Sequence, residues 1–420
     1  MNARWPMRII AVVVIAFIIG LAAGLGGGYI AFSPKQGGAV KKLPEEIPIG
    51  GLFGLTGDLS EFSKRHQAAA QMAIEDVNAY VKALGYNVKF VLIPEDTQGT
   101  QEGALAKIQA LAAKGVKVVV GPLSSAEVKA VKSFADSEGI VVISHSSTSP
   151  ALAIPGDYIF RFVPTDEFQG RALARLLQAS GAEKVAVIYR GDDWGDLLFE
   201  SFKEQFEKLG GEVRGIRYDP KAKDLSAEVS RLSDIVKEFG VGPHTKVLMI
   251  AFEDDGLAIL QAASRDPTLS SVEWFGTDGS AGSGKLLTMA DFIVKIGGLP
   301  STVFNPALSP KYEEFTKRFR ETYGEDPDPY CYTVYDAVWV AALSILEAGE
   351  YDGALIAKAL PQVASRYFGV SGWALLNENG DRAGGDYLIL KIVKTPTGYK
   401  WVRAGVYTFA SDSVTFFEGG

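Results

Sequence analysis

Residues 143–150, "ISHSSTSP", carry five hydroxyl side chains in eight positions, directly after the apolar run "GIVV". The stretch holds no Lys or Arg, and His145 is its only titratable side chain. Ser149 before Pro150 reads as a helix N-cap with proline at the first helical position. Backbone N–H groups at such a start lack intrahelical partners and attract anions. Ser146, Ser147 and Thr148 set hydroxyl donors beside them, while Ser144 ends the strand and His145 has no assigned role. Hydroxyls and amides without a fixed cation suit a carboxylate that must be held and then released. "GPLSSAE" repeats the pattern, with Ser124 or Ser125 capping a helix that begins near Ala126. The bland alternative is capping alone, since Ser and Thr gather in turns.

A third turn has the opposite character. "GTDGSAG" places Asp278 in a Gly-rich turn after an apolar strand. Alone it reads as an Asx-turn. Facing a hydroxyl-rich anion site, it becomes an acceptor for an ammonium group. Phe62, Trp194 and Phe252 fall at the same level of the chain's turns and supply aromatic walls. Donors on one side, a carboxylate on the other and aromatic faces between them suit a small zwitterion.

These turns need a scaffold that makes them converge. From Ile47 onward, short β-rich runs alternate with helical patterns: "VKVVVG", then "AEVKAVKSFADSEG", then "IVVIS". That alternation predicts parallel sheets covered by helices. The order is also doubled. Strand ends lead into "GLTGDLSEFS", "GPLSSAE" and "SHSSTSP" in one half, and into "YRGDDWGD", "AFEDDG" and "TDGSAG" in the other. Open α/β sheets bind ligands at the carboxyl ends of their strands, so two facing lobes would line one cleft with all six turns.

The chain has 420 residues, a length that suits two domains. Its formal net charge is −8, which speaks against a nucleic-acid footprint. The single Cys331 excludes an intramolecular disulfide and a multi-Cys metal site. Arg4 and Arg8 precede an uncharged run from Ile9 to Phe32, long enough to cross a bilayer and followed by no cysteine for lipid attachment. It reads as an anchor oriented N-in, or as a cleaved signal peptide, and either places the remainder outside the cytoplasm. A Pro-, Gly- and charge-rich tether follows, Ser33 to Glu46.

The exported portion resembles the leucine/isoleucine/valine-binding family of ABC-transporter solute receptors, with the type I periplasmic-binding-protein fold. The resemblance runs through "IPIGGLFGLTGDLSEFS", "PEDTQGTQEGA", "VVVGPLSSAEV", "GIVVISHSSTSPAL", "YIFRFVPTDEFQGRALA", "WFGTDGSAG" and "YTVYDAVWVAALSI". It implies a ligand carboxylate at Ser125, Ser146, Ser147 and Thr148, and an ammonium at Asp278. It also implies a closing aromatic at Trp194, with Phe62 and Phe252 where other members have tyrosines. The implied organisation is a segment 1–32, a tether 33–46, one lobe from 47–163 and 299–370, and another from 164–298 and 371–420. Crossings between lobes are expected near Val163–Pro164, Gly297–Pro300 and Val370–Gly372. The expected partners are a small amino acid and a membrane permease, with a monomeric chain and neither metal nor cofactor. A sensor component for amides, urea or small carboxylates, acting through a separate membrane partner, is the alternative. His66, His145 and His244 lie in unrelated contexts, and no hydrolase or phosphate-loop spacing occurs, so no catalytic residues are assigned.

Overall fold

The computed structural model describes residues 43–417; the expected membrane segment and most of the tether lie outside them. The chain begins with β1 (Glu46–Phe53), α1 (Ser60–Ala83), β2 (Lys89–Asp96), α2 (Gln101–Ala113), β3 (Val118–Val120), α3 (Ser125–Glu138), β4 (Val141–Ser144) and β5 (Ile159–Arg161). It continues with α4 (Asp166–Ala179), β6 (Lys184–Arg190), α5 (Asp193–Lys208), β7 (Glu212–Tyr218), α6 (Ser226–Phe239), β8 (Thr245–Ile250), α7 (Glu253–Ala263) and β9 (Glu273–Phe275). Next come α8 (Ala290–Lys295), β10 (Ser301–Phe304), α9 (Pro310–Tyr323), α10 (Pro329–Ala348) and α11 (Gly353–Arg366). The last strands are β11 (Phe368–Gly369), β12 (Gly372–Trp373), β13 (Tyr387–Thr395), β14 (Gly398–Thr408) and β15 (Ser413–Phe416).

The first lobe is built on a parallel sheet in the order β2-β1-β3-β4-β5. Its strands are apolar on both faces because helices cover both, as parallel sheets require. One face packs on α1, α10 and α11, the other on α2 and α3. Helix α10 is long and apolar enough to span a membrane by composition, yet it is mostly buried and serves as the core helix of this lobe.

The second lobe departs from an all-parallel expectation. Strands β7-β6-β8-β9 are parallel, but β10-β13-β14-β15 form an antiparallel sheet. An isolated parallel bridge between Gly276 and Ser301 links the two sheets. In both lobes the chain order reverses, at β1/β3 and at β6/β8, and the turns that follow these strands form the crevice.

The crossings lie partly elsewhere than expected. The first is at Val163–Pro164, between β5 and α4. Gly297 and Gly298 do have positive φ, but they form the turn before β10, which is still hydrogen-bonded to β13. The second crossing therefore follows Phe304. Residues 371–382 stay with the first lobe: Ala374 is in its core, and Asp381 forms a bridge with Arg161. The third crossing is thus about Ala383–Asp386, and the lobe boundaries 299 and 371 move accordingly. The three linkers touch one another. Asn305 N–H donates to Asp386 O at 2.9 Å, and a Cβ on Gly385 would lie 2.8 Å from the Phe304 ring and 3.3 Å from Pro164.

Arg161 fastens this region from within. Its guanidinium bonds Asp381 through two nitrogens, at 2.5 and 2.8 Å, and donates to Ser149 O at 2.6 Å. Both side chains are essentially solvent-free. Removing one partner of such a pair strands a buried charge. Asp381→Ala is expected to lower unfolding stability by about 3–5 kcal/mol. The double variant Arg161→Met/Asp381→Ala should recover much of that loss in urea titration.

Candidate functional site

The hydroxyl-rich turns of the first lobe are woven into each other. Ser124 accepts the Glu127 N–H at 3.3 Å while Glu127 accepts the Ser124 N–H at 3.2 Å, a capping box that starts α3. Ser125 Oγ lies 2.9 Å from Ser147 Oγ and accepts the N–H groups of Thr148 and Ser149 at 3.3 and 3.2 Å. Ser146 donates to Leu123 O at 2.9 Å, and Ser144 to Pro122 O at 2.7 Å. Ser149 does not cap as expected. Pro150–Leu152 is only a single 3₁₀ turn, and the Ser149 hydroxyl donates to Asp193 O of the second lobe at 2.9 Å.

Across the crevice, Asp278 accepts from Gln169 Nε2 at 2.9 Å and from the Tyr330 hydroxyl at 2.7 Å. Asp166, in the first turn of α4, accepts from Thr148 Oγ1 at 2.9 Å, while its Oδ1 accepts no hydrogen bond. Burial pushes both carboxyls up, and Asp278 raises Asp166 further by like-charge repulsion. The Trp194 indole stacks on Phe252 at 4.6 Å between centroids, and the Arg190 guanidinium lies 4.4 Å over the other ring. Gly279 makes room for that indole: a Cβ there would come within 2.5 Å of it.

Seven of the eight expected residues line one pocket: Phe62, Ser125, Ser146, Thr148, Trp194, Phe252 and Asp278. Ser147, expected among them, does not line it; it is buried with its hydroxyl on Ser125. The pocket encloses about 30 Å³, so the lobes stand in a closed arrangement, and no Lys or Arg lines it. A larger groove of about 400 Å³ on the outer face of the first lobe is lined by Tyr80, Phe315, Tyr335 and Trp339 and holds none of the expected residues. Chemically, the pocket offers hydroxyls, the Asp278 carboxyl with no side-chain cation on it, and apolar walls, while the Asp328 carboxylate is held by Arg65 and His66. That set suits a cation beside an apolar group.

Sequence reading missed Asp166, Gln169, Asp328 and Tyr330. Asp166 follows a strand end in "RFVPTDEFQG", a usable local signal. Asp328 and Tyr330 start α10 far along the chain, where "DPDPY" shows only an N-cap and a proline. The unassigned His145 also finds its place. Its Nε2 lies 2.9 Å from His66 Nδ1, and His66 Nε2 lies 3.0 Å from Asp328 Oδ1. Burial works against the Asp328 charge, but His66 and Arg65 outweigh it and hold the carboxyl well below its usual range. Burial, with His66 beside it, keeps His145 neutral near neutral pH. Asp328 as acceptor fixes a His66 proton on Nε2. His66, Asp328 and Cys331 bring three potential metal-ligating atoms within 4.8 Å, but both His66 ring nitrogens are already engaged. The chain of contacts orients Asp328, which caps α10 through the Tyr330 N–H and so aims Tyr330 at Asp278.

The family model described as receptor family ligand binding region matches residues 65–395. A Brucella melitensis Leu/Ile/Val-binding protein homolog is 28% identical over 75% of this chain and 83% of its own. The chain belongs to the leucine/isoleucine/valine-binding protein family. An uncharacterized protein of Methanocaldococcus jannaschii is 37% identical over 85% of this chain and 88% of its own. The fold matches a leucine-binding protein of Thermotoga maritima with TM-score 0.72 at 22% identity, covering 87% of this chain and 99% of that one. A Streptococcus pneumoniae branched-chain amino acid transporter substrate-binding protein, solved with isoleucine, matches with TM-score 0.69 at 20% identity over 85% of this chain and 99% of that one. The type I periplasmic-binding-protein fold is thereby shown, and the family is one of solute-binding proteins rather than enzymes.

Beside the pocket, Glu253 is fully buried; it accepts from Ser283 Oγ at 2.7 Å, and its second oxygen has no partner. Burial, with Glu61 nearby, pushes its carboxyl up to about 8. The folded chain then keeps a proton that the unfolded chain releases above its ordinary value near 4.5. Stability from this group falls as pH rises between those two values. Glu253→Gln should flatten that slope in melting temperature against pH and gain most at the alkaline end.

Proposed function

We propose that the chain is the extracytoplasmic receptor of an ABC importer and captures an apolar α-amino acid, branched-chain members foremost, by closing its two lobes. The observation that carries this is the division of the pocket: hydroxyl groups on the first lobe, Asp278 on the second, aromatic walls between. A buried carboxylate needs several donors, and the hydroxyls of Ser125, Ser146 and Thr148 would provide them by turning from the acceptors they hold here, Leu123 O for Ser146 and Asp166 for Thr148. The ammonium gives Asp278 the cation that the pocket's own side chains lack. The rings supply apolar burial, and Trp194 a cation–π contact of about 0.5–2 kcal/mol. Neither lobe alone satisfies both charges, so ligand shifts the equilibrium toward the closed form by its differential affinity.

The relatives' names point the same way. One from Pseudomonas aeruginosa is a leucine-, isoleucine-, valine-, threonine-, and alanine-binding protein, 24% identical over 82% of this chain and 89% of its own. The replacement of tyrosines by Phe62 and Phe252 makes the side-chain end of the pocket dry, which favours apolar over hydroxylated ligands. The ligand leaves unchanged, and a permease receives it from the closed, monomeric receptor, held outside the cytoplasm by the N-terminal segment.

A thermal-shift screen tests the ligand class. Leucine, isoleucine or valine should raise the melting temperature by several degrees, because binding to the native state alone adds stability. A shift with amides or urea and none with amino acids would overturn the assignment. By calorimetry, Asp278→Ala should weaken amino-acid binding ten-fold or more, since it leaves the ammonium without its principal acceptor.

A further inference from the structure

Helix α7 starts at Phe252, whose ring cannot accept a hydrogen bond and makes no cap. The Asp254 N–H in its first turn donates instead to Asp58 Oδ1 at 2.9 Å, a residue of the opposite lobe. Asp58 also accepts from Lys285 Nζ through its main-chain oxygen at 3.0 Å. Nearby, Glu61 Oε1 accepts the Gly284 N–H at 2.9 Å, and a Cβ on Gly284 would come within 2.7 Å of that oxygen. Two carboxylates of the first lobe therefore sit on two backbone N–H groups of the second.

We propose that Asp58 is a helix cap supplied in trans, so that lobe closure, capping of α7 and seating of the Phe252 wall are one event. The proposal rests on the reading of the chain as a hinge-closing amino-acid receptor. A carboxylate at a helix N-terminus satisfies an otherwise unpaired donor and lies at the favourable end of the helix dipole. When the lobes part, water replaces it. The cap therefore acts on the closed–open equilibrium and leaves the fold of either lobe alone. Arg190 also approaches Asp58, but only to 3.5 Å, and it holds Asp192 at 2.5 Å and Asp255 more closely still. The backbone bond is the tighter link between the lobes.

The test uses the full chain with L-leucine as probe and the dissociation rate as readout. Asp58→Ala should release leucine about ten-fold faster, within the range that N-caps are worth, with association rate and ligand-free melting temperature unchanged. Asp58→Asn should stay within about two-fold of the parent chain, because asparagine caps as well as aspartate. Release from Asp58→Asn as fast as from Asp58→Ala would show that charge acts rather than the cap, and an unchanged Asp58→Ala rate would likewise overturn the proposal. If the parent chain binds no amino acid, the amino-acid reading fails and the cap is judged from paired spin labels on the two lobes. Asp58→Ala should then widen the inter-lobe distances while Asp58→Asn does not; identical distributions for all three chains overturn it.

Discussion

Two buried carboxyls near enough to repel each other, Asp278 in the pocket wall and Asp166 on the Thr148 hydroxyl, set the terms for the whole molecule. Asp278 and Asp166 resist ionisation where they are, and the groups that touch them, Tyr330, Gln169 and Thr148, give hydrogen bonds but no charge. Such a pair is tolerable in a fold only if something positive can reach it, or if a proton stays. The hydroxyl wall opposite has the converse deficit, many donors and no cation for an anion to pair with. Each half is chemically incomplete, and each is carried by a different lobe.

The fold answers with topology. Both sheets reverse their order beside the central strand, which turns the loops after β1, β3 and β4 toward those after β6, β8 and β9. The linkers that join the lobes converge at Pro164, Phe304 and Gly385, packed closely enough that a methyl group at Gly385 would collide. Convergence of all crossings at one edge leaves the opposite edge free to open, the usual mechanics of a hinge. Arg161 ties the base of the hydroxyl turn to the returning segment at Asp381, so the donors are held by the same contact that anchors the third linker.

Much of the pocket was legible because its chemistry sits where parallel strands end, and strand ends announce themselves through apolar runs followed by small polar residues. That local signal identified Ser125, Ser146, Thr148 and Asp278. It failed for Ser147, because side-chain direction within an irregular loop depends on neighbours such as Ser125, which come from another strand. It failed for Tyr330 and Asp328, because nothing local says that the start of α10 folds back onto the turn of β9. The crossings were misplaced for a related reason. Gly297 and Gly298 advertise backbone freedom, but pairing of β10 with β13, some ninety residues apart, decides which lobe owns that strand. His145 could not be read at all without His66, which lies 79 residues away.

The stack of Arg190 on Phe252 on Trp194 has an optical meaning. Trp194 belongs to the second lobe, while Leu59 and Phe62, in the same apolar cluster, belong to the first. Its surroundings therefore change when the lobes move, whereas Trp274 is sealed in the core of one lobe, with its Nε1 bonded to Leu269 O. Under hinge closure, Trp194 at the seam would change its surroundings while Trp274 would keep its own, so the indole at the seam is the one placed to report lobe position.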